Sequence, residues 1–412
     1  MEKTISIKIG NREIGPGHPT YIIFEVASTH ENDWEIARAY VDQAKEAGAD
    51  ALKFQLFRAD TLLNPITSGL KGTYEYFKTA ETPWDWFPKL KELCDQRGID
   101  LLCTPFDLQA ASFLNGTGIP TVKIASGDLT NHQLLAHVAL FHKPIILSTG
   151  MATMEEIKQA VQVIRDMGNE ELALLQCVSV YPTSFQDANV SAMNHLKKAF
   201  DTLVGYSDNG SPGFLVPLMA VAFGASIIEK HVTSQKRRGN LDDIFSLSVE
   251  EFADMVRKIR MIEQERDKEK VLSQLKAEYG EDFEKAMGDG IKRPASHGTL
   301  ITHPGVPKPF LQKEADERHW ARRGVYPARD IRKGTLITPD MLVVLRPDVG
   351  ISGLQYQEVL GKTAAEDLPA RHPLKIHEDQ VFQFHLSDAE SVYPDPQDVD
   401  FVKTLKQLAL FR

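Results

Sequence analysis

Two lysines sit where an ammonium is expensive. Lys53 lies in the run Ala-Leu-Lys-Phe-Gln and Lys123 in Thr-Val-Lys-Ile-Ala, apolar surroundings that disfavour an unpaired charge. Glu25 and Glu229 interrupt apolar runs in the same way, and a buried carboxylate needs a cation or a hydroxyl beside it. Around these four, short polar groups each follow or end an apolar run: Gln55, Thr104, Ser126, Ser148-Thr149-Gly150, Ser179 with Tyr181, Ser207-Asp208-Asn209 and Lys230-His231. Two lysines, several hydroxyls and glycine-flanked backbone hold a small phosphorylated, carboxylated anion through charge-assisted hydrogen bonds, and the carboxylates supply proton transfer. Taken singly, each residue has a plainer explanation. A lysine at a strand end is commonly an ion-pair partner, Glu25 and Glu229 could pair with Lys53 or Lys230, His30 could cap a helix with Glu31 and Asn32, and His231 could be a core histidine. The coincidence of the set argues for a site.

Residues 25 to 231 must then be brought to one place. Eight β-rich runs recur along the chain: Tyr21 to Val26, Ala51 to Gln55, Asp100 to Cys103, Thr121 to Ile124, Pro144 to Ser148, Leu172 to Cys177, Thr202 to Tyr206 and Ser226 to Lys230. They are mostly continuous apolar runs, as buried parallel strands are. Between them apolar residues fall at helical spacing, for example Ile157, Val161 and Ile164, and Val249, Phe252, Val256 and Ile259 mark the last helix. Eight such units in about 245 residues match a closed (β/α)8 TIM barrel, where an open doubly wound sheet would rarely need so regular a repeat. In such barrels chemistry lies at the C-terminal strand ends, where these polar residues fall.

The remainder of the 412 residues divides by composition. Residues 1–265 read as the barrel, 266–320 as a linker that opens with a charged helical stretch ending near Gly280, 321–380 as a small domain of short apolar pieces split by turns, and 381–412 as a tail with an apolar helix near Phe401 to Phe411. Hydrophobic residues at 42% and charged residues at 25% exclude a disordered or collagen-like chain. A net charge of −10, from 47 Lys+Arg against 57 Asp+Glu, disfavours a general nucleic-acid or membrane-surface binder, so an anionic ligand needs a local cluster of cations. Three widely spaced cysteines, no N-terminal signal pattern and no long apolar span point to a cytoplasmic protein.

The strings "KFQLF", "CTPFD", "VKIASGDLTN", "KPIILSTGMATMEEI", "CVSVYPT", "VGYSDN", "GASIIEKHVT" and "FSLSVEEF" resemble, in order, the sialic acid (N-acetylneuraminate) synthase family. "RRGVYPARDIRKGTLITPDML", "RPDVGIS" and "LGKTAAEDLPARHPL" resemble its C-terminal antifreeze-like SAF domain, a small β-rich β-clip unit, so the resemblance spans roughly residues 15 to 380. It implies a transferase of carbohydrate biosynthesis that condenses phosphoenolpyruvate (PEP) with an N-acylated hexosamine, without an organic cofactor. The family's PEP-contacting positions match Lys53, Thr104, Lys123, Ser126, Ser148, Ser179, Tyr181 and Ser207, and its sugar-facing positions match Glu25, Gln55, Glu229 and Asp242. Lys53, Glu25, Gln55 and His231 would then orient the reactants and move protons. The resemblance also implies a domain-swapped homodimer in which the partner's SAF domain delivers an arginine to the acyl sugar, here Arg323 or, failing that, Arg322.

Three departures bear on that inference. The family's Glu-Ile-Gly-x-Asn-His-x-Gly is here Glu25-Val-Ala-Ser-Thr-His30-Glu-Asn32; its Gly-Pro-Asp-His is Asn240-Leu241-Asp242-Asp243, and its Leu-His-Cys is Leu175-Gln176-Cys177. Its two metal-binding histidines, in Tyr-Ser-Asp-His and Glu-Lys-His, become Asn209 and His231. Asparagine is a weaker ligand than imidazole for a transition ion, so a divalent manganese or magnesium ion on His231 and Asn209 is an open expectation, with Asp208, Asp243 or His30 as other ligands. Distantly similar synthases for eight-carbon sugar acids include metal-independent forms with an asparagine at the ligand position. The altered loops also leave open another acceptor, such as a legionaminic- or pseudaminic-type precursor, or a catalytically weak PEP-binding regulatory barrel.

Overall fold

The structure, a computed structural model, describes residues 5–66, 71–234, 242–295, 299–301, 310–312 and 314–384. Eight parallel strands form the barrel: β1 (Tyr21–Glu25), β2 (Ala51–Leu56), β3 (Asp100–Pro105), β4 (Val122–Ile124), β5 (Ile145–Ser148), β6 (Leu172–Cys177), β7 (Leu203–Asp208) and β8 (Ile227–Thr233). Their hydrogen-bonded order is β3-β2-β1-β8-β7-β6-β5-β4, and β3 packs beside β4 to complete the ring. All eight strands coincide with the runs expected from the sequence.

Side chains alternate across a strand, and this sorts the barrel into two regions. Tyr21, Ile23, Ala51, Leu102, Ile146 and Leu175 point inward and form an apolar plug with Ile7, Ile9 and Ile14 of an N-terminal hairpin, Ile7–Ile9 against Arg12–Ile14. Ile22, Phe24, Leu52 and Phe54 point outward into the helical layer. Two residues further along each strand, the same inward parity delivers Glu25, Lys53, Gln55, Thr104, Ser148, Cys177, Ser207 and Glu229. An apolar floor thus carries a polar upper layer.

The outer helices are fixed by caps and faces. Met154–Asp166 begins with a capping box between Thr153 and Glu156 and buries Ile157, Val161 and Ile164. Val249–Gln264 begins with another, between Ser248 and Glu251, and buries Phe252, Met255 and Ile259. Burying each such side chain contributes about 1.5–3 kcal/mol.

The segment expected to be a linker from residue 266 opens differently. Helices Lys268–Tyr279 and Glu281–Met287 place Val271, Leu275, Phe283 and Ala286 in the main barrel core. Backbone bonds from Val190 and Ser191 to Ala286 and Met287 secure them. The helix Glu314–Ala321 follows, then the small domain, whose strands Gly324–Pro327 and Leu342–Leu345 pair antiparallel. Leu374–His377 pairs antiparallel with Gln380–Gln383, which carries the domain past residue 380. This domain has its own apolar core, including Val325, Ile337 and Leu374. The expected terminal helix near Phe401 to Phe411 lies outside the described residues. Among the described residues no helix is long and apolar enough to cross a membrane.

Candidate active site

Glu25 on β1 pairs in register with Lys53 on β2, and Glu229 on β8 pairs with Ser207 on β7, so the ladders set the spacing of the charges. Lys53 Nζ lies 2.7 Å from Glu25 Oε2 and 3.6 Å from Glu229 Oε1, and donates to Thr104 Oγ1 at 3.3 Å. Lys123 Nζ donates to Ser148 Oγ at 2.7 Å and to the Ile124 carbonyl at 3.1 Å, and lies 3.8 Å from Glu229 Oε2. Gln55 Nε2 donates to Glu25 Oε1 at 2.8 Å, and Ser207 Oγ donates to Glu229 Oε1 at 3.1 Å. All of these side chains except Gln55, which is partly exposed, are buried.

The two carboxylates differ. Burial pushes Glu25 above the usual carboxylate range, against the pull of Lys53, with the Glu229 charge adding to the rise. Burial also penalises ionised Glu229, but Lys123 and Lys53 outweigh it and hold its carboxyl below the usual range. Lys123 is pulled down by burial, while Lys53 is raised because Glu229 and Glu25 overcome the same penalty. Two buried carboxyls whose proton affinities are pushed apart, Glu25 upward and Glu229 downward, give the separation of roles that general acid–base chemistry uses.

The hydroxyls converge on Gly150. Its N–H donates to Ser126 Oγ at 2.9 Å. A Cβ at this position would stand 2.2 Å from Ser179 Oγ and 2.8 Å from Ser126 Oγ. Only glycine leaves room for the three loops to meet, and Ser179 Oγ is buried without a hydrogen-bond partner. An unsatisfied buried hydroxyl beside a lysine-bearing wall calls for a polar occupant.

His231 packs edge to face with Tyr181 and with Phe245, and these two rings are tilted against each other. Burial pushes His231 down to about 4, with Asp242 opposing, so the imidazole is neutral at pH 7 and Nδ1 lacks a hydrogen-bond partner. Asp242 accepts from Ser28 N at 2.8 Å and from Ser28 Oγ, which ties the altered first loop to the altered Asp242-Asp243 string.

Three of the expected metal ligands, Asn209, Asp208 and His30, are engaged elsewhere. Asn209 Nδ2 donates to the Val178 carbonyl at 2.8 Å and to Cys177 Sγ at 3.2 Å. Asp208 lies on the outer side of β7 in a buried pair with Lys230 at 2.6 Å. His30 is held between Asn32 N and Thr82 Oγ1. Among the described residues no group of three or more His, Cys, Asp or Glu side chains comes together to hold an ion. Of the expected pair, Asn209 is engaged by its own loop while His231 keeps Nδ1 without a hydrogen-bond partner.

Arg323 is not among the residues gathered here. Its Nε meets Asp128, Nη2 donates to Phe106 O at 2.6 Å, and Nη1 donates to Thr61 O at 3.2 Å and to Val344 O at 3.1 Å. Arg323 therefore docks the small domain on the barrel of its own chain. Arg322 also reaches the site's edge, donating to Ser126 O at 2.8 Å, and keeps Nε and Nη2 without hydrogen-bond partners. Arg346, 3.7 Å from Asp128 and over the rings of Phe106 and Trp320, completes the docking cluster. Reading the sequence did not find Asp128 as the hub of these arginines, because the partners lie 195 residues apart.

The NeuB family profile matches residues 40–270, and the SAF domain profile matches residues 322–377. An N,N'-diacetyllegionaminic acid synthase of Legionella pneumophila is 33% identical over 375 residues, which cover 88% of this chain and 95% of that protein. A pseudaminic acid synthase of Campylobacter jejuni is 32% identical over 379 residues, covering 90% of this chain and 98% of that one. The crystal structure of an N-acetylneuraminic acid (sialic acid) synthetase from Leptospira borgpetersenii, in complex with citrate, is 33% identical with a TM-score of 0.60 and covers 67% of this chain and 98% of its own. With the barrel matched over more than half the chain and the second profile falling on the small domain, this protein belongs to the NeuB family.

Proposed function

We propose that this protein condenses PEP with the open-chain aldehyde of an N-acylated hexosamine, giving a nonulosonic acid and phosphate. The observation that carries the reading is the buried pair Lys53 and Lys123 bracketing Glu229, with the hydroxyls of Thr104, Ser126, Ser148 and Ser179 around them. PEP's phosphate and carboxylate would take over lysine and serine donors that the free protein spends on Glu229 and on one another. Such a fixed, dry set of donors orients C3 of PEP without reorganisation during the reaction.

The C3 carbon of PEP attacks the aldehyde carbon, and the new C–C bond leaves an electron-poor C2. The aldehyde oxygen takes a proton; Glu25, whose proton affinity burial raises and whose Oε1 accepts from Gln55, is the donor we assign. Neutral His231 orients the acceptor rather than protonating it. Water adds at C2 and gives one proton back to Glu25; the C2–O bond to phosphate then breaks as C2=O forms, the remaining hydroxyl proton leaving with the phosphate. Ionised Glu229 stabilises the positive charge that develops at C2.

PEP labelled with ¹⁸O in the bridging position tests this route. Released phosphate should retain the label and the product mass should equal acceptor plus PEP plus water minus phosphoric acid, whereas unlabelled phosphate would mean P–O cleavage and overturn it. The acceptor is an N-acylated amino sugar of the sialic, legionaminic or pseudaminic precursor class; the tied Ser28 and Asp242 would shape that choice. We further propose a cytoplasmic homodimer in which exchange of the small domains re-forms across subunits the arginine contacts to Asp128 that this chain makes within itself. Light scattering that gives a monomer at micromolar concentration would refute the dimer.

A further inference from the structure

One short helix, Glu314–Ala321, touches three of the loops that carry the site's hydroxyls. Glu314, Arg318 and Arg322 follow one another at four-residue spacing, one helical face and its continuation. Glu314 is fully buried, and its Oε1 accepts from the backbone N–H of Met151 and of Ser179, each at 2.6 Å. Oε2 accepts from Ala295 N. Arg318 donates to the Met151 carbonyl and grips Glu156 with both nitrogens, at 2.9 and 2.8 Å. Arg322 donates to the Ser126 carbonyl at 2.8 Å. The loops after β4, β5 and β6 are thus each bonded through their backbone to this helix or to Arg322, the residue that follows it.

A buried carboxylate is tolerated when several N–H groups satisfy it, and here those N–H groups belong to the residues that place Gly150 and Ser179. We propose that Glu314 is a positioning residue for PEP: it locks the amides of Met151 and Ser179 so that the Ser126, Ser148 and Ser179 hydroxyls present one phosphate-sized concavity around Gly150. The inference rests on the PEP reading above. It also couples the site to docking of the small domain, because the same helix leads directly into Arg322 and Arg323.

The test uses the full chain and the variants Glu314→Ala and Glu314→Gln. Glu314→Ala should raise the KM for PEP by about tenfold or more, with the KM for the sugar within about twofold and kcat little changed, as loss of a ground-state phosphate contact does. Glu314→Gln keeps a carbonyl oxygen for both amides and should recover most of the loss. Hydrogen exchange should quicken in peptides covering 149–153 and 178–181, while β1 and β7 keep their protection. An unchanged or lowered KM for PEP overturns the proposal, the latter because it would make Glu314 a competitor for the phosphate. If the wild-type protein neither binds PEP nor releases phosphate, the functional reading fails instead, and the exchange data still decide the brace: unchanged exchange at 149–153 and 178–181 overturns it.

Discussion

Replacing Lys123 by methionine separates binding from folding. Lys123 Nζ is held by Ser148 Oγ at 2.7 Å and the Ile124 carbonyl at 3.1 Å, with Glu229 at 3.8 Å. Methionine preserves the chain's length and apolar stem. The free protein loses two hydrogen bonds, each contributing about 0.5–1.5 kcal/mol, but no longer buries an ammonium whose pKa burial already depresses. Glu229 loses the Lys123 charge but keeps Lys53 and Ser207 Oγ, so the net loss of stability should stay below about 3–5 kcal/mol, the cost of a buried charge stripped of its partner. In the complex nothing offsets the loss. A PEP oxyanion left without its cation in a dry site should weaken binding by about 3–5 kcal/mol, or roughly two to three and a half decades in Kd. Calorimetric titration with PEP, beside thermal unfolding of the same samples, reads both quantities. A PEP Kd within about threefold of wild type would remove Lys123 from the site, and a collapse of the melting temperature would show its role to be structural.

Gly150→Ala places a methyl against the hydroxyls of Ser179 and Ser126; overpacking of this kind costs about 1–3 kcal/mol, and steady-state kinetics should show the KM for PEP rising by at least about tenfold. Asp128→Ala strips the counter-ion from Arg323 and Arg346 and should destabilise docking by about 3–5 kcal/mol, seen as rapid proteolysis between barrel and small domain; wild-type resistance would contradict the cluster's role. Asp348, which accepts from Ser352 Oγ, is pushed up to about 6 by burial. Its folded pKa lies above the unfolded one, so its contribution to stability is present below about pH 4 and is lost as pH rises through about 6. Asp348→Asn should therefore stabilise by about 1–3 kcal/mol at pH 7.5 and by almost nothing at pH 4, and urea unfolding showing equal effects at both would refute the assignment.

The barrel is legible in the sequence because strands buried on both faces are continuous apolar runs, and a lysine or glutamate inside such a run is conspicuous. Lys53, Lys123, Glu25 and Glu229 stand out for that reason, and the ladders bring all four together. What the sequence hid depended on tertiary context. Helices Lys268–Tyr279 and Glu281–Met287 carry only a few apolar residues each, split at Gly280, so nothing local reveals that they complete the core. Asp128 looks like an ordinary loop residue until arginines from the far end of the chain converge on it. Glu314 lies in a stretch whose rhythm is broken, and nothing in its neighbours reveals that it is buried against the amides of Met151, Ser179 and Ala295. Burial, invisible in sequence, pushes His231 down to about 4 and Glu25 above the usual carboxylate range.

The central claim is tested most directly by PEP-dependent phosphate release from chelator-treated protein, with a panel of N-acylated hexosamines and their diacetamido-trideoxy relatives, with and without manganese. Release should require both PEP and one class of acceptor and should survive the chelator, since Asn209, in place of a histidine, is turned to Cys177 and Val178. A folded protein that neither binds PEP nor releases phosphate with any acceptor would contradict it, and release that needs added manganese would contradict its metal-free form.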